Sequence, residues 1–175
     1  MSYGIDIVDL SDPKLKPRDQ RALNKILHQE DLVPDHPYIY WLLWSAKEAV
    51  FKSNREAINF APTLIPIALE LVSDSIHFTC KNLKGNIVVN DQYILAVCAD
   101  DPESINYQTF IDNDGMSGEA LRNKIIQFFS EKKLTFDMGS DELNLPILLP
   151  SNTPISISHH GIYGAFAYPK SLLNG

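Results

Sequence analysis

A carboxylate stands in the middle of the first apolar run of this chain, Tyr3-Gly4-Ile5-Asp6-Ile7-Val8. Strand alternation places Tyr3, Ile5 and Ile7 on one face and Gly4, Asp6 and Val8 on the other. The run predicts a buried strand, ended by Leu10-Ser11-Asp12-Pro13. A carboxylate in such a strand is costly unless it is paired, hydrogen-bonded or bound to a metal. The fold must therefore bring partners to Asp6.

A second segment, Trp44-Ser45-Ala46-Lys47-Glu48-Ala49-Val50-Phe51-Lys52, belongs to a helix expected from about residue 37 to residue 57. Pro37 falls near the first turn, where a missing N–H is tolerated. Leu42, Ala46, Ala49 and Val50 mark one buried side. Glu48 and Lys52 are one turn apart, which taken alone describes an ordinary surface ion pair. A third segment, Ile155-Ser156-Ile157-Ser158-His159-His160, alternates as a strand and ends in hydrogen-bonding groups. His159 alone reads equally well as a satisfied core histidine.

Taken together, the three segments carry a specific chemistry. Mg2+ takes hard oxygen ligands, often only one or two protein carboxylates, and leaves the rest to water and substrate phosphates. Asp6 on a strand and Glu48 on a neighbouring helix suit that role. Lys52 would face the same phosphates, and Ser158 and His159 suit a phosphate or an amide. A metal–pyrophosphate site follows from the chemistry, with its substrate open.

Around these segments the patterning predicts an α+β fold, an antiparallel or mixed sheet packed against a long helix, in one domain spanning residues 1–175. Residues 17–28 read as a basic helical stretch with Leu23, Ile26 and Leu27 as its apolar stripe. Residues 63–72 are nearly continuously apolar around Pro66, so strand and helix are not separable there. Residues 76–79, 86–89 and 93–99 read as strands, with turns at 83–86 and 90–91. Residues 100–116, rich in Asp and Asn, read as a loop. Ser117 would cap a helix in which Leu121, Ile125 and Phe128 recur. Residues 134–136 and 147–149 read as strands around a turn at Gly139-Ser140-Asp141. Residues 165–168 would pair with 155–158 across a turn at 161–164. No internal repeat is visible.

The formal charge of −7 and pI of about 5.1 argue against a general nucleic-acid binder. Cys80 and Cys98 stand in apolar strand-like runs with no disulfide or metal spacing, and read as buried thiols. No apolar stretch reaches the roughly 18 residues of a membrane span. Asp6 and Asp9 interrupt the first apolar run, which is no secretory segment. A soluble, cytoplasmic protein is expected. Against the overall acidity, Lys14, Lys16, Arg18, Arg21 and Lys25 oppose only Asp19 between residues 14 and 25. That run is either a solvated helix face or a cationic patch that steers an acidic macromolecule toward the site.

The segments and their order resemble the 4'-phosphopantetheinyl transferases, specifically the single-domain holo-[acyl-carrier-protein] synthase branch. The resemblance rests on Gly4-Ile5-Asp6-Ile7-Val8, on the run from Trp44 to Lys52 and on Ile157-Ser158-His159. Phe60-Ala61-Pro62 and Leu145-Pro146-Ile147 correspond more weakly. It implies an enzyme that moves 4'-phosphopantetheine from coenzyme A to a serine hydroxyl of an apo carrier protein and releases 3',5'-ADP. It implies Asp6 and Glu48 as Mg2+ ligands, Lys52 as the catalytic, phosphate-binding amine, and Ser158 and His159 as coenzyme A contacts. Either Glu48 or a water on the metal would take the serine proton. Arg18, Arg21 and Lys25 would face an acidic acyl or peptidyl carrier protein, with Arg18 and Arg21 on one helix face.

Two-repeat relatives add an acid two residues after the strand aspartate. Val8 stands there in this chain, leaving two protein carboxylates. The chain is also longer than that branch usually is, with the surplus expected as an insertion within residues 57–117. The branch is typically a homotrimer, which such an insertion could alter. Two other classes stay open: a non-catalytic carrier-protein binding module of the same fold, and another Mg2+-dependent phosphate enzyme such as a nucleotide hydrolase. Whether the carrier serves fatty-acid, polyketide or peptide synthesis is not written in these residues.

Overall fold

Strand β1 (Tyr3–Asp9) is buried along its whole length, and the two halves of the molecule meet on it. The computed structural model describes residues 1–55, 59–73 and 75–173. The first half continues through a short helix α1 (Gln20–Asn24) and the long helix α2 (Ile39–Ser53). It closes with an antiparallel meander of β2 (Ala68–Val72), β3 (Ser75–Cys80), β4 (Leu83–Val89) and β5 (Tyr93–Ala99). β1 pairs with β5, so the sheet runs β1-β5-β4-β3-β2.

Helix α2 buries Leu42, Leu43, Ala46 and Ala49 completely, in one cluster with Val8, Ile87, Ile94 and Ala96. Gly4 permits this close seating. A Cβ at that position would stand 1.9 Å from the Ala49 carbonyl oxygen, so a side chain there would push the helix away from the strand.

The second half holds β6 (Ile105–Ile111), α3 (Gly118–Glu131), β7 (Asp137–Ser140), β8 (Pro146–Leu149), β9 (Thr153–Pro154), β10 (Ser156–His160) and β11 (Tyr163–Pro169). Its sheets run β10-β11-β6 and β7-β8-β9, all antiparallel. Ser117 caps α3, its hydroxyl accepting the Ala120 N–H at 3.0 Å. Leu121, Ile125 and Phe129 pack from α3 onto Phe166 and Tyr168. Tyr3, Ile5 and Ile7 of β1 pack on Ile105, Tyr163, Ala165 and Ala167.

The halves share a connectivity that no sequence repeat announces. In each, the first strand lies beside the last, the last beside the one before it, and a helix lies between first and last in the chain. The join is made by side chains. The N–H groups of Ile5, Ile7 and Asp9 on β1 donate to Ser156 Oγ at 3.1 Å, Ser158 Oγ at 3.3 Å and His160 Nδ1 at 3.0 Å. Buried backbone donors require partners, and here alternate side chains of β10 take the place of a neighbouring strand's carbonyls.

Several boundaries differ from the sequence expectation. Residues 105–111 form β6 rather than loop. Their β-branched and aromatic residues pair with β11 along the whole strand, and the flanking Asp and Asn residues mark only its ends. The basic stretch keeps helix only over Gln20–Asn24, because Asp19 caps it after Pro17. Leu83 to Asn86 lie inside β4, with the turn falling at Lys81 and Asn82. β7 lies at Asp137–Ser140, C-terminal to the expected 134–136, so Gly139 and Ser140 are strand and the turn follows them. α2 ends at Ser53, short of the expected residue 57, because Asn54 is its C-cap and the backbone turns left-handed at Arg55, φ +49°. Residues 62–64 form a single 3-10 turn and 68–72 a strand, with Pro66 between them. Cys80 and Cys98 are free and buried. Among the described residues, no helix is long and apolar enough to cross a membrane.

Candidate active site

β1, α2 and β10 converge on one polar cluster. Asp6, 5% exposed, accepts at Oδ1 from Lys52 Nζ at 2.7 Å and from the Ser158 hydroxyl at 2.8 Å. Lys52 Nζ also donates to Ser158 Oγ at 3.0 Å and lies 3.6 Å from Glu48 Oε2, one turn back on α2. The Ser158 hydroxyl thus donates once and accepts from both Lys52 and Ile7. Asp6, Glu48, Lys52, Ser158 and His159 all line one cavity of about 360 Å³.

The electrostatics report how closely the charges are held. Burial pushes the Glu48 carboxyl above its ordinary range. Lys52 opposes the rise and the negative Asp6 adds to it. Burial, the Lys52 ammonium and His160 hold the His159 imidazole below its ordinary value. His159 therefore faces the cavity as a neutral ring at pH 7. Asp6 and Glu48 are the carboxylates of the cavity, and among the described residues no group of three or more His, Cys, Asp and Glu converges as a metal cluster. Two carboxylates beside one hydroxyl fit a hard ion such as Mg2+, which takes one or two carboxylates, and not a nitrogen- or sulfur-seeking metal.

The basic run is divided by the fold. Arg18 precedes α1 and lies over Tyr40 and Trp41, at 5.3 and 5.2 Å from their ring centroids. It lines the 360 Å³ cavity and also an adjoining groove of about 430 Å³ floored by Leu10, Leu15 and Leu23. Arg21 lies within α1 and Lys25 at its C-cap, both exposed. Arg18 and Arg21 therefore do not share a helix face, because the helix begins after Arg18.

Sequence reasoning gave no supporting role to Lys47, Asp9, Gly161, His160 or Trp44. Lys47, completely buried, donates to Asp31 at 2.7 Å and to the carbonyls of Pro62 and Ile65 at 2.9 and 2.8 Å. Its place between Leu43 and Val50 on the apolar stripe is the signal that could have marked it. Asp9, 1% exposed, accepts from the Ser11 N–H and hydroxyl and from the Ile162 N–H. Gly161, at φ +56°, leaves room for it, since a Cβ there would fall 2.1 Å from Asp9 Oδ2. His160 accepts from the Asp9 N–H, and Trp44 forms part of the cavity wall.

The family model of the 4'-phosphopantetheinyl transferase superfamily matches residues 2–98. The match runs from β1 into β5. It includes Asp6, Glu48 and Lys52 and stops short of Ser158 and His159. No curated protein and no solved structure matches the chain.

Proposed function

The chain belongs to the 4'-phosphopantetheinyl transferase superfamily, and within that transfer chemistry we propose that it moves 4'-phosphopantetheine from coenzyme A to a serine hydroxyl of an acidic apo carrier protein, releasing 3',5'-ADP. The observation that carries this reading is the meeting of two carboxylates, one amine and one hydroxyl (Asp6, Glu48, Lys52 and Ser158) where the two halves join.

Asp6 and Glu48 are the residues that would hold Mg2+. Bound there, the ion supplies positive charge to the pyrophosphate of coenzyme A. Lys52, fixed by Asp6 and Ser158, presents its amine to the same phosphates. Ser158 and the neutral ring of His159 offer hydrogen bonds to coenzyme A from β10. Glu48, which lies beside Lys52 in the same cavity, takes the proton of the acceptor serine. The serine oxygen then bonds to the phosphorus that carries pantetheine. The bond from that phosphorus to the 3',5'-ADP oxygen breaks, and the leaving oxygen keeps the electron pair. Lys52 offsets that charge.

The order of the strand aspartate, the Lys-Glu helix and the Ser-His strand supports placing the chain near the holo-[acyl-carrier-protein] synthase branch. A homotrimer is not required to assemble the cluster, since β1, α2 and β10 of one chain meet directly. Within the segment read as an insertion, Ala68–Val72, Ser75–Cys80, Leu83–Val89 and Tyr93–Ala99 form β2 to β5, which share one sheet with β1. The groove beside Arg18, with Arg21 and Lys25 exposed nearby on α1, is the proposed approach for an acidic carrier protein.

The test is intact-mass spectrometry of an apo carrier protein incubated with the chain, coenzyme A and Mg2+. A gain of one 4'-phosphopantetheine on the carrier serine is expected. Carrier binding without a mass gain would point instead to a binding module.

A further inference from the structure

Helix α2 does not end where its catalytic residues end. After Ser53 and Asn54 the backbone turns left-handed at Arg55, φ +49°, and the side chain leaves the first half for the second. Its guanidinium donates to Asp141 Oδ2 at 2.7 Å, to the Ile155 carbonyl at 3.2 Å and to the Pro146 carbonyl at 3.4 Å. All three acceptors belong to the second half. Asp141 is fixed in advance by its own turn, since Oδ1 accepts the N–H groups of Leu143 and Leu145 at 2.9 Å each. The Leu145 N–H and then Arg55 hold its carboxyl below the ordinary carboxylate range.

Arg55 lies three residues beyond Lys52, and Ile155 lies one residue before Ser156 and three before Ser158. The clamp therefore grips the backbone just ahead of the two serines that meet β1, from the same helix end that carries the phosphate-facing amine. The corner between them is not packed solid. A cavity of about 100 Å³ opens among Phe51, Lys52, Arg55, Pro146, Ile155 and Ile157. Lys52 and Ser158 are tied to each other and to Asp6 on one side of that cavity, and Arg55 supplies a second polar tie, from the end of α2 to the backbone leading into β10, on the other.

We propose that the Arg55–Asp141 ion pair is a positioning clamp that sets how Lys52 on α2 faces Ser158 and His159 on β10, and so how tightly and productively the anionic phosphates of coenzyme A are held. This rests on the reading of the site given above. Arg55 does not line the cavity that holds Asp6 and Glu48, so its effect passes through Lys52 and β10.

The test uses the full chain and the variants Arg55→Met, Arg55→Lys and Asp141→Asn. Asn at position 141 keeps an oxygen for the two turn N–H groups and removes the charge. Arg55→Met should raise the KM for coenzyme A or lower kcat by about ten- to a hundredfold, the upper figure being the cost of a misplacement of about 1 Å caused from a remote site. The carrier KM should stay within about twofold, Arg55→Lys should recover part of the loss, and Asp141→Asn should add less than about twofold on top of Arg55→Met. Unchanged coenzyme A kinetics, equal losses for both substrates, or additive losses would overturn the clamp.

Hydrogen exchange supplies a readout independent of transfer. Arg55→Met should speed exchange in residues 141–147 and β10 while β3 and β4 keep wild-type protection. Unchanged exchange in β10 would contradict the proposal. If the wild-type chain transfers nothing, the functional reading fails by itself, and exchange with direct coenzyme A titration still decides the clamp. Should Arg55→Met not fold, Asp141→Asn is judged by the same criteria.

Discussion

The Lys52 amine lies 2.7 Å from the Asp6 carboxylate, and both side chains meet the Ser158 hydroxyl. A strand, a helix and a strand from the other half are thereby tied at one charge pair. Asp6→Asn keeps the size of that side chain and removes its charge. Transfer should fall by at least about a hundredfold, as expected when a charged metal ligand is lost, and the Mg2+ optimum should move to higher concentration. Lys52→Ala should lower kcat comparably. Its stability cost should be only about 1–2 kcal/mol, because a quarter of the Lys52 side chain is exposed and solvent screens part of the pair. Turnover and chemical denaturation measured on the same preparations check both. Near-normal turnover in Asp6→Asn contradicts the metal role.

Gly4→Ala probes the seat of the helix. The added Cβ would meet the Ala49 carbonyl oxygen at 1.9 Å and the Ser53 backbone nitrogen at 2.9 Å, neither of which can swing aside as a side chain could. The loss should reach the upper end of the roughly 1–3 kcal/mol range for overpacking, read from the denaturation midpoint. A midpoint within experimental scatter of wild type would mean that α2 lies farther from β1 than described.

The division of the basic run gives Arg18 and Arg21 different duties. Arg21→Glu, on an exposed turn of α1, should raise the carrier KM and leave coenzyme A affinity intact. Arg18→Glu should disturb both substrates, since Arg18 lines the catalytic cavity as well as the groove. Added salt should weaken carrier docking in the wild type, as exposed charges are screened over about 8 Å at physiological ionic strength. Identical kinetic profiles for the two variants would remove the distinction.

His159 offers a proton-linked signature. Its imidazole is held below the ordinary value, so it is neutral in the free protein near pH 6.5 and above. A bound phosphate favours the imidazolium and raises its pKa. Coenzyme A binding should therefore take up protons between the lowered free value and the raised bound value, and not well above it. Because unfolding restores the ordinary value, the ring's contribution to stability is complete above about pH 6.5 and declines as pH falls toward the lowered folded value. Calorimetry at about pH 6, just below the ordinary imidazole value, in two buffers of different ionisation enthalpy measures the uptake. It should vanish in His159→Asn, and buffer-independent heats in the wild type would dismiss the contact.

Legibility follows periodicity. β1, β5 and the β10–β11 hairpin stand out because alternating or continuous apolar patterns need no partner to be recognised, and α2 because its apolar stripe is long. β6 is hidden because Asp and Asn crowd its flanks while its pairing with β11 is non-local. α1 reads too long in the sequence because the spacing of Leu23, Ile26 and Leu27 is also satisfied by an irregular segment. Leu23 and Ile26 are both buried although the helix ends at Asn24. The side chains Asp6, Glu48, Lys52, Ser158 and His159 are nameable from chemistry and resemblance, and they line one cavity. Of their mutual contacts only the Glu48–Lys52 pair, one helical turn apart, is legible; the ties of Asp6 and Ser158 to Lys52 are not, and neither are the buried Lys47–Asp31 pair, the stacking of Arg18 and the reach of Arg55. Each depends on where separate elements are brought in space.

The most direct measurement counts both products in one reaction. The chain, apo carrier protein, coenzyme A and Mg2+ are mixed, and 3',5'-ADP release is quantified alongside the mass of the carrier. Transfer requires one 3',5'-ADP for every 4'-phosphopantetheine found on a carrier serine, with neither appearing when the carrier is omitted. Nucleotide released without modification of the carrier, or at the same rate in its absence, would contradict transfer and identify a hydrolase.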